Sequence, residues 1–104
     1  MLNGLIATLT LAALVGGLDG ENGQRREAKA FLKTEVELLV AAEKQTMIAP
    51  PSWFTCMSEA KQSKVLEKEV LRLYREEEEA RLMSPDELVR WAVDELCEDA
   101  YYEN

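Results

Sequence analysis

The first eighteen residues, Met1 to Leu18, contain no charged side chain, and the first charge is Asp19. Within this run Gly4, Thr8, Ala12 and Gly16 recur at every fourth position. Positions four apart share one face of a helix, and small residues on that face let a second helix approach backbone to backbone. Leu2, Leu5, Ile6, Leu9, Leu11, Leu14, Val15 and Leu18 cover most of the remaining surface. A helix that is apolar nearly all round must be buried, in protein or in lipid. The spacing therefore predicts a helix over 2–18 that is either the packed centre of an assembly or a membrane element.

Length and flanks favour the first of these. Crossing ~30 Å of hydrocarbon takes about 20 apolar residues. Eighteen, with Asn3, Gly4, Thr8 and Thr10 among them, is a marginal span. A secretory signal carries basic residues ahead of its apolar core, and no Lys or Arg precedes this one. The expectation is a cytoplasmic homo-oligomer joined through the ridge Gly4, Thr8, Ala12 and Gly16. The alternative is a membrane-associated protein anchored through residues 1–18, such as a viral ejection or pore component. In that case Arg25 and Arg26 would keep the body on the cytoplasmic side.

The rest of the chain reads as three more helices and no strand. Asp19-Gly20 and Asn22-Gly23 break the chain after the first helix. The same run fails as a calcium loop. With Asp19 at its first position, the required glycine falls on Gln24 and the closing glutamate on Ala30. A second helix over 24–47 carries the stripe Ala28, Phe31, Leu32, Leu39 and Ala42 and stops before Pro50-Pro51. Trp53 and Phe54 follow, as a candidate aromatic patch or as the plug of the bundle end; large aromatics are usually core. A third helix over 56–82 has Leu66, Val70 and Leu73 as its stripe, with Arg72–Glu76, Arg75–Glu79 and Glu77–Arg81 spaced for pairing. Ser84, Pro85 and Glu87 form a capping box that opens a fourth helix over 85–101. The predicted fold is a single all-α domain over 1–104, a small four-helix bundle.

Charge narrows the function. The chain carries −8. From Ser84 onward there are seven acids against Arg90 alone, so this last stretch holds −6 of it. Such a field repels phosphate backbones, which argues against direct nucleic-acid binding, and it attracts basic protein surfaces. Asp94, Glu95, Glu98 and Asp99 on the fourth helix are the candidate docking face. A weaker candidate is the basic start of the second helix, Arg25, Arg26, Lys29 and Lys33, of which Arg26, Lys29 and Lys33 share a face that would hold an anionic ligand at an oligomer interface. Pairing with acids such as Glu37 or with a neighbour's fourth helix is the expectation.

Familiar catalytic chemistry finds little material here. The chain has no histidine, which removes Ser–His and Cys–His nucleophile systems and the usual zinc sets. There is no phosphate loop and no dinucleotide fingerprint. Glu35 and Glu37 lie in an apolar stretch, but an exposed flank explains them. Cys56 and Cys97, forty-one residues apart, leave a disulfide open; two free thiols in a cytosolic protein are the expectation. The chain thus reads as a non-enzymatic, cofactor-free interaction module. It would bind itself and a larger protein with a basic surface, as a phage-type inhibitor or adaptor does.

Overall fold

The computed structural model describes residues 9–62 and 64–102. Among them the chain is helical throughout: α1 (Leu11–Leu18), α2 (Arg25–Thr46), α3 (Pro51–Gln62), α4 (Val65–Glu76), a 3-10 turn (Glu78–Leu82) and α5 (Pro85–Tyr102). The all-α expectation holds, with five α-helices in place of four.

Among the described residues of the apolar segment, the helix begins at Leu11. Thr10 is extended (φ −77°, ψ 163°), and its hydroxyl oxygen accepts the Ala13 N–H at 3.0 Å, so α1 starts at Leu11. A threonine side chain competes for backbone donors and favours a cap over a helix interior. Gly4 and Thr8 lie outside the described residues. Gly20 and Gly23 adopt positive φ (+78° and +76°) and turn the chain into α2.

α1 buries Leu14, Gly17 and Leu18. Its close contact falls at Gly17, one residue beyond the expected ridge. A Cβ there would sit 2.7 Å from the Gln24 carbonyl oxygen and 2.8 Å from Ala28 Cβ. The small-residue approach is thus made inside the chain, to the first turn of α2. At the same corner the Arg25 guanidinium donates to the Leu18 carbonyl (2.8 Å) and pairs with Glu67 of α4 (3.0 Å). Glu67 is the one charged residue buried among those described, and this pair is what makes its burial tolerable.

The expected helix over 56–82 is three elements. It begins earlier, with Pro51 at the first helical position, where a missing N–H costs nothing. It breaks between Gln62 and Val65, and helical phase gives the reason. Trp53, Met57 and Ala60 are the buried face of α3, and Leu66, Val70 and Leu73 that of α4. At 3.6 residues per turn, Met57 and Leu66 would lie about 180° apart on one continuous helix. Only a break lets both faces reach the same core. α4 ends at Glu76 because Glu77 is extended (φ −113°, ψ 118°). The Arg81 side chain folds back to donate to the Tyr74 (2.9 Å) and Arg75 (2.6 Å) carbonyls. The expected Arg75–Glu79 and Glu77–Arg81 pairs are therefore not made, whereas Arg72–Glu76 is, at 3.0 Å.

α5 opens as the sequence predicts, with the Ser84 N–H donating to Glu87 Oε1 at 3.0 Å. It then runs antiparallel to α3. Ser52 Oγ donates to the Ala100 carbonyl (2.9 Å), Trp53 meets Tyr101 edge-on (5.9 Å), and Cys56 is bonded to Cys97. The free-thiol expectation is overturned, because the antiparallel register brings the two Cα atoms to 5.8 Å. Sequence spacing does not report that register. Leu14, Val36, Met57, Leu66, Leu73 and Leu88, drawn from all five helices, are each under 2% exposed and form the shared core.

Candidate functional site

α5 divides sharply. Leu88, Val89, Ala92, Val93 and Cys97 are buried, while Asp94, Glu95, Glu98 and Asp99 are all exposed on the other side. Asp94 and Glu98 are four apart, as are Glu95 and Asp99, so like charges stand one turn above each other. Partial burial holds the Asp94 carboxyl above the ordinary carboxylate range, and the charges of Glu98 and Glu95 push it the same way. The last turn of α5 has no basic residue, although the negative end of the macrodipole favours one there.

The four acids are not equivalent. Glu95 lies 3.5 Å from the Arg72 guanidinium, which also binds Glu69 (2.7 Å) and Glu76 (3.0 Å). The hydrogen bonds it donates to Glu69, then to Glu76, raise the Arg72 pKa further above its already high ordinary value. Arg72 thereby ties Glu95 to α4. Asp94, Glu98 and Asp99 have no cation within ion-pair distance among the described residues. Arg72 itself did not stand out in the sequence as more than a helix-surface pair.

Trp53 is 7% exposed and Phe54 is half-buried. Their rings meet edge to face at 5.1 Å, and Tyr101 extends the cluster and bonds Glu43 at 3.3 Å. They plug the end of the bundle where α3 starts and α5 finishes. Of the ridge, Ala12 is exposed and Gly16 is half-buried. Gly16 is faced by the chain's own Asn22, whose amide donates to the Ala13 carbonyl at 3.3 Å. Glu35 packs where α2 meets the start of α5. Burial raises its pKa, nearby Asp86 adds to the rise, and Arg90 opposes it. Glu37 pairs with Lys61 at 3.5 Å. Of the basic group, Arg25 is engaged structurally, Arg26 is exposed, and Lys29 and Lys33 line a cleft between α2 and the α3–α4 junction.

Among the described residues no cluster of three or more metal-ligating side chains occurs, no helix is long and apolar enough to cross a membrane, and every buried side-chain polar atom has a partner. No protein-family model, curated protein or solved structure matches the chain.

Proposed function

We propose that this protein is a non-enzymatic helical interaction module that docks its acidic α5 face, centred on Asp94, Glu98 and Asp99, on a basic surface of a larger protein. The observation that carries the reading is that three exposed carboxylates share the C-terminal half of α5 with no cation within ion-pair distance among the described residues. Like charges at helical spacing and acids at a helix C-terminus each oppose folding by a few tenths of a kcal/mol, up to ~1. Neutral residues would remove that cost at exposed positions. A charge kept against the fold's interest is best explained by a partner that neutralises it. An inhibitor or adaptor of the phage type fits this description by analogy of size and charge alone.

The test is binding of a lysine- and arginine-rich helical peptide by titration calorimetry. Asp94→Asn, Glu98→Gln and Asp99→Asn together should weaken binding at least tenfold. A control with equal charge change, Glu21→Gln, Glu78→Gln and Glu79→Gln, should alter it less than threefold. Equal losses in the two variants would remove α5 as the docking face.

Self-association through Ala12 and Gly16 is a separate proposal. Ala12 is exposed for it, whereas Gly16 already faces Asn22. Light scattering coupled to gel filtration decides it: a discrete multimer supports it, and a mass of 11.8 kDa removes it. The membrane alternative draws nothing from α1 as described. Eight residues span about 12 Å, and Leu14, Gly17 and Leu18 are buried against the chain's own helices.

A further inference from the structure

The cleft between α2 and the α3–α4 junction concentrates positive charge in an otherwise acidic molecule. Its volume is about 290 Å³, and Lys29, Lys33, Lys61 and Lys64 line it against a single acid, Glu67. Glu67 is already committed to Arg25. Of the four lysines only Lys61 has a carboxylate partner among the described residues, Glu37 at 3.5 Å on the exposed side. Buried Leu32 and Leu66 form the floor.

These lysines come from three elements, and their placement opposes folding. Lys29 and Lys33 are four apart on α2, a repulsive spacing. Lys64 is the N-cap of α4 and makes no side-chain capping bond; a cation at that end works against the macrodipole. A bound anion would relieve both.

We infer that this cleft is a binding site for a small soluble anion bearing adjacent phosphate groups. The residue types select that class. Ammonium groups are compact point charges with rotatable donors and suit tetrahedral phosphate, whereas planar carboxylates favour the arginine fork. No arginine lines the cleft among the described residues. No aromatic ring lines it either, so there is no platform on which a nucleobase would stack, and recognition is of the phosphates. The molecule's net charge of −8 and the cleft's size disfavour a long nucleic-acid backbone. The site lies on other elements than the acidic α5 face and does not depend on its role.

Inorganic tripolyphosphate is the probe, titrated calorimetrically into the full chain at about 0.15 M salt, where long-range attraction is screened. Saturable one-to-one binding is expected. Lys33→Gln with Lys64→Gln should weaken it at least tenfold, while Lys44→Gln with Lys68→Gln, an equal loss of charge outside the cleft, should change it less than threefold. Amide chemical-shift changes in the unmodified protein should cluster at residues 29–33 and 60–67, which makes the assignment independent of any variant. Absence of saturable binding, equal losses in both variants, or shifts spread over the surface would each overturn the site. So would a wild-type dimer that the Lys33/Lys64 variant converts to a monomer while tripolyphosphate fails to compete, since the lysines would then be holding a second copy.

Discussion

Two adjacent glycines separate an internal helix contact from a surface ridge. An alanine Cβ at Gly17 would meet the Gln24 carbonyl oxygen at 2.7 Å and Ala28 Cβ at 2.8 Å, both rigid parts of the first turn of α2. Alanine gains about 1 kcal/mol over glycine in helix propensity. Overpacking against backbone costs ~1–3 kcal/mol, so Gly17→Ala should lose about 1 kcal/mol net. At Gly16 the nearest atom, also at 2.7 Å, is the amide nitrogen of Asn22, the end of a flexible, exposed side chain. It swings away at the cost of its bond to the Ala13 carbonyl and of the bond its Oδ1 accepts from the Gln24 N–H, together ~1 kcal/mol. Gly16→Ala should therefore be about neutral. Urea unfolding followed by circular dichroism should place the two midpoints apart by the equivalent of about 1 kcal/mol, with unchanged slopes. Melting temperatures should differ by roughly 4–8 °C. If Gly16→Ala is the more damaging of the two, α1 packs through the other face and the account of this corner is wrong.

The remaining expectations concern the staple, a turn and the charges. Replacing Cys56 and Cys97 by alanine releases a loop closed over a sequence separation of 41, worth up to about 4 kcal/mol of chain entropy; reductant should bring the wild type to the variant's midpoint, and no response to reductant would deny the bond. Met47 ends α2 at φ 58° and is 83% exposed, so Met47→Gly should add about 0.5 kcal/mol, the left-handed strain relieved less glycine's own entropy cost; a lower urea midpoint would contradict this. The Asp94 pKa is raised on folding, so its ionised form opposes folding at neutral pH and the penalty fades as pH falls through the folded value. Asp94→Asn should then stabilise at neutral pH by ~0.2–0.5 kcal/mol and make no difference below the unfolded value; a pH-independent gain would assign the effect to packing. Asp86 has the opposite sign, because the Ser84 hydroxyl lowers its pKa. Its stabilising share is present above the ordinary carboxylate range and is lost as pH falls through the lowered value, which Ser84→Ala should abolish.

Local signals were readable where the chemistry is local. The capping box at Ser84, the glycine turns after Leu18 and the stop before Pro50 each rest on a few neighbouring residues, and each appears where the sequence places it. The break at Gln62 was also legible in principle: the stripes ending at Ala60 and starting at Leu66 are out of phase, but charged residues between them read as continued helix. Thr10 looked like one polar residue in an apolar run until its hydroxyl was seen to cap α1. The disulfide, the Arg72 cluster and the lysine cleft depend on which helix lies beside which. Lys33 and Lys64 are far apart in sequence, and nothing in their spacing announces that they line one cleft.

Several helix ends here carry a charge that suits the macrodipole. Glu27 sits in the first turn of α2 and Lys44 in its last; Asp86 and Glu87 open α5; Lys61 and Arg75 close α3 and α4. Other charges oppose it: Arg25 and Arg26 at the start of α2, Lys64 at the N-cap of α4, where Glu67 follows in the first turn, and Glu98 and Asp99 in the last turns of α5. Each such charge costs at most ~1 kcal/mol, yet against a total stability of roughly 5–15 kcal/mol that cost is not negligible. Lys64, Glu98 and Asp99 are exposed, where replacement by a neutral residue meets no packing constraint. Lys64 joins three other lysines, and Glu98 and Asp99 join paired carboxylates. Exposed like charges set against the macrodipole on two separate surfaces, with opposite signs, are what the proposed α5 docking face and lysine cleft both rest on. Neutralising either surface should therefore stabilise the isolated protein while removing a binding activity, and that inverse relation is what separates a functional charge from an incidental one.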